Sequence, residues 1–217
     1  MINVLESCYL FSGIEKTRLN TISTILDFKI TEYKKGEAPI LTGKKYTDIF
    51  IVLTGEFRIS QYNETGKELV MQKARPSYIL GLDTASSIKK TSAYNVLCTK
   101  DGSILSFGSE KIFTEGFLKN EDRLLLYERS IQFLANENIR KFHKAEILST
   151  RNPRKKIIRY LNLQSVRYGT KDFTIEYSRE ELASYLDINR SVLSHELKSM
   201  EKEGVIKVHK NRFTLLQ

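Results

Sequence analysis

The stretch Ser178–Ile206 reads SREELASYLDINRSVLSHELKSMEKEGVI and predicts two short amphipathic helices joined at Asp187-Ile188-Asn189. Ser178 followed at three residues by Glu181 is a capping box, in which the hydroxyl takes the N3 amide while the carboxylate reaches back to the cap amide. Leu182, Ala183 and Leu186 are its inward positions, and Ala183 is small enough for a close helix crossing. Asp187 is one of the few non-glycine types that tolerates a left-handed turn. Asn189 is the expected N-cap of the second helix. Leu193, Leu197 and Met200 then recur at i, i+4 and i+7 as a buried stripe. Arg190, Ser191, Ser194, His195 and Lys198 share another face. Small side chains flanked by long cationic donors let a helix sink into a major groove while Arg and Lys reach bases and phosphates. The competing reading is a plain helical hairpin with a solvated outer face.

The flanking residues favour the first reading. Glu203-Gly204 is a natural helix stop. Val205–Val208 and Arg212–Leu215 are strand-like runs on either side of His209-Lys210-Asn211, a turn-like tip. Phe173–Tyr177 alternates like a further strand. A helix-turn-helix followed by a basic β-wing is a winged DNA-binding domain.

The charge is distributed accordingly. Residues 151–217 carry 14 basic and 8 acidic side chains, against 21 and 18 in the rest of the chain, so the smaller part holds most of the net +9. That is the electrostatic footprint of a polyanion-binding domain. A length of 217 residues suits two compact domains. No apolar run approaches the roughly 18 residues of a membrane span. The N-terminal MINVLESCYLFSGI lacks the basic start and cleavage site of a signal peptide, which implies a cytoplasmic protein. Cys8 and Cys98 read as buried thiols, too few for an iron–sulfur cluster.

Residues 1–26 read as helical. From Asp27 to about Phe107, short runs (Phe28–Ile30, Ile49–Leu53, Phe57–Ile59, Leu69–Met71, Val96-Leu97, Ile104–Phe107) alternate with turns at Gly36, Gly43, Gly55, Gly66 and Gly81. Such spacing predicts a small antiparallel barrel or sandwich. The three histidines, His143, His195 and His209, all lie outside it, so a histidine metal centre in the barrel is excluded. No nucleophile elbow, P-loop or paired catalytic carboxylates occur. The chain reads as no enzyme, with no cofactor and no metal.

A long helix is expected from about Asn120 to Thr150. Leu124, Ile131 and Asn138 repeat at seven with Tyr127 and Leu134 between them, a short heptad seam in which Asn138 fixes register. The alternative is a single helix lying on the barrel, its apolar stripe simply core. Thr150–Arg154 is the expected hinge, with Pro153 stopping one helix or opening the next, and Lys156–Gln164 follows as the first helix of the DNA-binding part. The fold class is thus α+β: an N-terminal antiparallel, jelly-roll-like β-roll (1–118), a long dimerisation helix (119–150) and a C-terminal winged helix-turn-helix (151–217).

This order of elements resembles the Crp/Fnr family of bacterial transcription regulators over nearly the full chain. The resemblance rests on KKGEAPILTGKKYTDIFIVLTGEFRI and NETGKEL in the β-roll. In the C-terminal part it rests on EILSTRNPRKKIIRYL, the helix-turn-helix stretch and KNRFTLL. Family members that bind cyclic AMP grip it with a Gly-Glu pair and an Arg-Ser/Thr-Ala segment. Here the corresponding stretch is ILGLDTASSIKKTSAYNV. Gly81 is kept, Leu82 replaces the Glu, Thr91 replaces the Arg, and Ser92 and Ala93 remain. A Thr cannot supply the Arg's bidentate charge-assisted bonds to phosphate, so this chain resembles a branch without tight cyclic-AMP binding. Lys89 or Lys90 could stand in for that Arg as a point charge on the phosphate, but the preferred reading of the pair is a solvated loop.

The resemblance also implies the partners: double-stranded DNA with a palindromic operator, a second copy of the chain, RNA polymerase, and an unknown small-molecule effector. Arg190 stands at the family's base-reading Arg, aimed at guanine, with Ser191, Ser194 and His195 as further base contacts. His195 replaces a second Arg and donates more strongly when protonated, so affinity is expected to fall as pH rises through its titration. Ser178, Arg179, Lys198, Lys210 and Arg212 are assigned to phosphates. The effector region comprises Gly81, Leu82, Thr91, Ser92, Arg123 and Tyr127. The rival function is a metabolite sensor whose basic winged domain docks a protein.

Overall fold

The computed structural model describes residues 2–216. The chain forms two compact units, one of residues up to 67 with 71–138, the other of 68–70 with residues from 139 onward.

The first unit opens with two helices, α1 (Ile2–Ser7) and α2 (Lys16–Leu26), where the sequence predicts one helical stretch. The interruption has a physical cause. Leu5, Cys8, Leu10, Phe11 and Ile14 are all buried, and no single helical stripe can bury residues at those spacings. The chain instead turns back on itself and leaves the turn through Gly13 at φ +71°.

Seven strands follow: β1 (Lys29–Tyr33), β2 (Asp48–Val52), β3 (Glu56–Tyr62), β4 (Glu68–Ala74), β5 (Ile79–Leu80), β6 (Asn95–Lys100) and β7 (Gly102–Gly108). They make two antiparallel sheets, ordered β1-β7-β2-β5 and β4-β3-β6. Each of the five glycines read as turn positions has positive φ. The jelly-roll-like β-roll is therefore present, with one core among Ile40, Val52, Phe57, Val96, Cys98 and Ile104. A second core lies where α1 and α2 meet Ile49, Ile51, Leu105 and Phe107.

Gly55 marks a close crossing. An added Cβ would stand 2.6 Å from the Gly102 Cα and 2.6 Å from the Lys100 carbonyl, and φ is +80°. Gly55→Ala is expected to cost about 2 kcal/mol or more, from left-handed strain together with overpacking, read as a lowered thermal midpoint.

Between β5 and β6 lies a five-residue helix, α3 (Leu82–Ser86), which sequence periodicity does not reveal. After α4 (Glu110–Phe113), α5 runs Asn120–Ser149, near the expected start and end. Leu126 is fully buried, and Leu125, Phe133 and Leu134 pack half-buried on the helix-facing core. Arg18 pairs with the buried Asp122, and Arg129 Nη1 donates to the Leu10 carbonyl at 2.9 Å.

The second unit continues with α6 (Pro153–Tyr168), β8 (Asp172–Thr174), α7 (Arg179–Leu186), α8 (Arg190–Lys202), β9 (Ile206–His209) and β10 (Arg212–Leu215). Helix α6 is longer than predicted, because Asn152 caps its Lys155 amide and Pro153 occupies the first turn. It ends at Gly169, with φ +66°. Strand β8 is shorter than predicted, since only Asp172–Thr174 finds partners on β10. The wing tip is Lys210-Asn211 alone, because His209 pairs with Arg212 inside the sheet. A single core joins Tyr160, Leu161, Phe173, Leu182, Leu186, Leu193, Leu197, Met200 and Phe213.

Candidate nucleic-acid interface

Local chemistry sets the angle between α7 and α8. The capping box forms as the spacing predicts: the Glu181 amide donates to Ser178 Oγ at 3.2 Å, and the Ser178 amide donates to Glu181 Oε2 at 2.8 Å. At the other end Asp187 takes φ +50°, the Ile188 amide bonds the Ala183 carbonyl and the Asp187 amide bonds that of Ser184. That is a Schellman stop with Asp in the glycine position. Asn189 is the N-cap residue of α8, but its side chain makes no cap bond. Gly204 closes α8 with a second Schellman pair, Val205 to Met200 and Gly204 to Glu201.

The turn is also braced from below. Lys156, buried on α6, donates to the Leu186 carbonyl at 3.1 Å and lies 3.5 Å from that of Asp187. Its ammonium thereby satisfies the open carbonyl end of α7, where the helix dipole favours a cation. Lys144 on α5 donates to the Tyr185 carbonyl, and burial pushes its ammonium down to about 6, opposed by Asp187 and reinforced by Lys156. Sequence reasoning missed both lysines. The available signal was a Lys among the inward positions of α6, beside Ile157, Tyr160 and Leu161.

With Leu193, Leu197 and Met200 buried, the opposite face of α8 points outward. Arg190, Ser191, Ser194, His195 and Lys198 are all exposed on it. The structure therefore brings the five candidate α8 residues together on one side of one helix.

The phosphate candidates separate. Lys198 and Lys210 are exposed, and Lys210 sits at the wing tip with φ +51°. Ser178 is occupied by its cap. Arg179 Nη2 donates to the Lys210 carbonyl, and its guanidinium lies 5.1 Å from the Phe213 ring centroid. Its Nη1 is shielded from solvent without a protein partner, and burial lowers the guanidinium's pKa. Arg179 thereby ties the start of α7 to the wing. Arg212, still largely exposed, forks onto Asp172 through Nε at 2.8 Å and Nη2 at 2.5 Å. That pair joins β8 to β10.

At the end of α8, Arg154 Nη1 donates to Glu203 Oε1 at 2.8 Å, and Ser199 Oγ donates to the same oxygen at 2.8 Å. A carboxylate at a helix C-terminus is otherwise disfavoured by the dipole. Arg154 first, then Ser199, lower the Glu203 pKa from 4.5 to about 2. Because the folded value is depressed, the contribution is complete above the unfolded value and is lost as pH falls from about 4.5 through about 2. Carboxyl NMR titration should find Glu203 ionised almost to pH 2, and Arg154→Met should return it toward the ordinary carboxylate range.

In the β-roll, the effector candidates are largely committed elsewhere. Leu82 is buried in the helix-facing core. Gly81 has φ +75°, and its amide donates to the Tyr94 hydroxyl at 3.3 Å. Tyr94 in turn donates to Asp83 Oδ1 at 2.7 Å. Burial first, then the Asp83 charge, raise the Tyr94 phenol well above its ordinary value. Ser92 is buried and donates to the Tyr94 carbonyl at 2.8 Å. Thr91 is exposed and donates to the Lys89 carbonyl. On α5, Arg123 pairs with Glu115 at 3.1 Å and the Tyr127 ring meets Phe113 edge-on at 5.3 Å. The pairing of Asp83 with Tyr94 is nonlocal and gives no sequence signal.

The seam candidates also divide. Leu124 and Ile131 stand 62% and 57% exposed, and Asn138 is exposed beside them. Tyr127 is partly covered by Phe113, and Leu134 turns toward the helix-facing core. Among the described residues, no helix is long and apolar enough to cross a membrane.

An antiparallel β-roll, a 30-residue helix and a winged helix-turn-helix with a basic outer face define a class of winged-helix transcription regulators. Residues 30–115 match the cyclic nucleotide-binding domain model, and residues 155–217 match the Crp-like helix-turn-helix domain model. The transcriptional activator protein FnrL of Cereibacter sphaeroides is 24% identical over 193 residues, covering 85% of this chain and 75% of FnrL. Among solved structures, a CooA mutant from Carboxydothermus hydrogenoformans matches with a TM-score of 0.71 at 16% identity, covering 99% of this chain and 91% of that one. The c-di-GMP responsive global regulator CLP of Xanthomonas campestris matches at 0.70 and 16%, covering 92% and 99%. The chain belongs to the Crp/Fnr family of transcription regulators.

Proposed function

We propose that the protein acts as a homodimer on a palindromic DNA site, with a small-molecule effector at the β-roll and long helix setting its activity. The carrying observation is the outer face of α8, where Arg190, Ser191, Ser194, His195 and Lys198 are exposed together while the opposite stripe is buried. In this reading Arg190 reads a guanine edge, with Ser191, Ser194 and His195 beside it, and Lys198 and Lys210 hold phosphates. The chain divides in function as residues 1–118, 119–150 and 151–217, and it works in the cytoplasm. RNA polymerase is a further partner in this account.

The dimer is supported by Leu124 and Ile131, since a helix lying simply on the roll would bury its apolar repeat. Two winged helices paired through α5 would enter successive major grooves roughly 34 Å apart. Binding of labelled duplexes at rising salt tests the reading. Affinity should fall steeply with salt and should differ between duplexes of equal length and different sequence. Weak salt dependence with no sequence preference would favour the protein-docking rival.

The effector is not cyclic AMP in this account. Asp83 places a carboxylate beside Gly81, and Gly81, Ser92 and Tyr94 already satisfy one another. An entering phosphate would meet a like charge and find no Arg fork. Calorimetric titration should show no cyclic-AMP binding tighter than about 100 μM, weaker than about 5.5 kcal/mol; micromolar affinity would overturn this.

A further inference from the structure

Two loops of the β-roll are stitched together on one side of the first unit. The Gly43 amide donates to the Ser92 carbonyl at 2.8 Å, the Ser92 amide to that of Lys44 at 2.9 Å, and the Tyr46 amide to that of Lys90 at 2.9 Å. Lys45 bridges Thr91 in antiparallel fashion. The second loop is held rigidly. Ser87 Oγ accepts from the Lys90 amide at 3.0 Å and donates to the Thr84 carbonyl at 2.8 Å, while Thr91 Oγ1 donates to the Lys89 carbonyl at 3.1 Å. Lys90 is kept at φ +52°, a conformation that a non-glycine residue adopts only when its surroundings impose it.

This fixed loop presents Ile88 with 103% of its reference surface open to solvent. Around it, Lys44, Lys45, Lys89 and Lys90 are exposed, and none has an ion-pair partner among the described residues. Residues 38–47 and 84–100 contain no Asp or Glu. A single exposed aliphatic residue is ordinary. One held at the tip of a rigid loop, with four uncompensated ammoniums on the paired loops, has the composition of a binding anchor inside a charged rim.

We propose that the paired loops 41–46 and 87–92 are a docking surface for an acidic segment of another protein, with an apolar side chain or pocket to receive Ile88. The chemistry selects this partner over the alternatives. Nucleic acid is better gripped by Arg forks and stacking rings, and this tip offers lysines and an aliphatic chain. The Tyr46 hydroxyl instead accepts from the Leu41 amide at 2.9 Å, and its ring packs on Phe50. A lipid surface would gain only Ile88 and the part-exposed Leu41, two aliphatic side chains with no aromatic anchor beside them. The proposal does not depend on the DNA-binding reading, because none of these residues lies on α7, α8 or the wing.

The test is a random peptide display selection on the immobilised full-length protein, followed by affinity measurement on synthesised winners. The expected winners carry several Asp or Glu around a central apolar residue. The Ile88→Ser/Lys44→Glu/Lys89→Glu variant should bind them at least about tenfold more weakly, with duplex affinity unchanged. The proposal is overturned if no peptides are enriched, if winners lack an acidic excess, or if the variant binds them as well as the parent. It is also overturned if phosphatidylglycerol vesicles capture the parent but not the variant, which would assign the loops to a membrane.

Discussion

Leu124→Glu combined with Ile131→Glu is expected to give a folded monomer whose affinity for a full palindromic site falls by about 10²–10⁴. The reasoning starts from burial. Leu124 and Ile131 lie on the open side of α5, so neither change disturbs the core that Leu126 and Phe133 build on the other side. Four carboxylates facing one another across a two-fold seam would repel and desolvate, as like charges at seam positions do. Each monomer would retain its recognition helix, but the second half-site would no longer be reached at high effective concentration. Sedimentation equilibrium should report the monomer, while thermal midpoint and helical signal stay near those of the parent. A dimer that survives both changes would place the interface elsewhere.

Arg190→Ala is expected to lower specific affinity by about 1–3 kcal/mol per half-site contact, roughly 5- to 150-fold, and to relax preference at one base pair of each half-site. Arg190 begins α8 from an exposed position beside Ser191, so its removal leaves Leu193, Leu197 and Met200 packed. Non-specific binding should change much less, because one phosphate-range charge contributes about one unit of salt slope. A uniform loss across all sequences would reassign Arg190 to a phosphate. Lys198→Ala should show that second behaviour, which makes the pair of variants a direct contrast.

Two other cations of the winged region hold protein partners in the structure. Arg179 and Arg212 carry the same charge as Arg190 and flank the same motif, so composition alone cannot separate them. Separation depends on strand register. Pairing β10 with β8 sets Arg212 beside Asp172, and folding the wing back over α7 sets Arg179 against Phe213 and the Lys210 carbonyl. Those neighbours are 40 and 31 residues away in sequence.

What was legible was local. The capping box at Ser178 and Glu181, the left-handed Asp187, the stop at Gly204 and the stripe of α8 each depend on residues within about one or two turns. The five β-roll glycines are legible for the same reason, since each turn requires a positive φ that glycine adopts without strain. The short strand β5, helix α3 and the pairing of Asp83 with Tyr94 are not legible, because each exists through a partner elsewhere in the roll. The break between α1 and α2 lies between these cases. Gly13 was visible, but the burial of Cys8, Leu10 and Phe11 on several sides is a tertiary effect. The heptad of α5 was visible as a period, whereas which of its members face outward depended on where the roll sits.

The most direct test of the account is selection of bound duplexes from a random DNA library by the purified full-length protein, without added ligand and then with a cell metabolite extract. The account predicts an interrupted palindrome whose half-sites are centred about one helical turn apart, and its loss with Arg190→Ala. Enrichment of no sequence under either condition, or of a single unrepeated half-site, would contradict it.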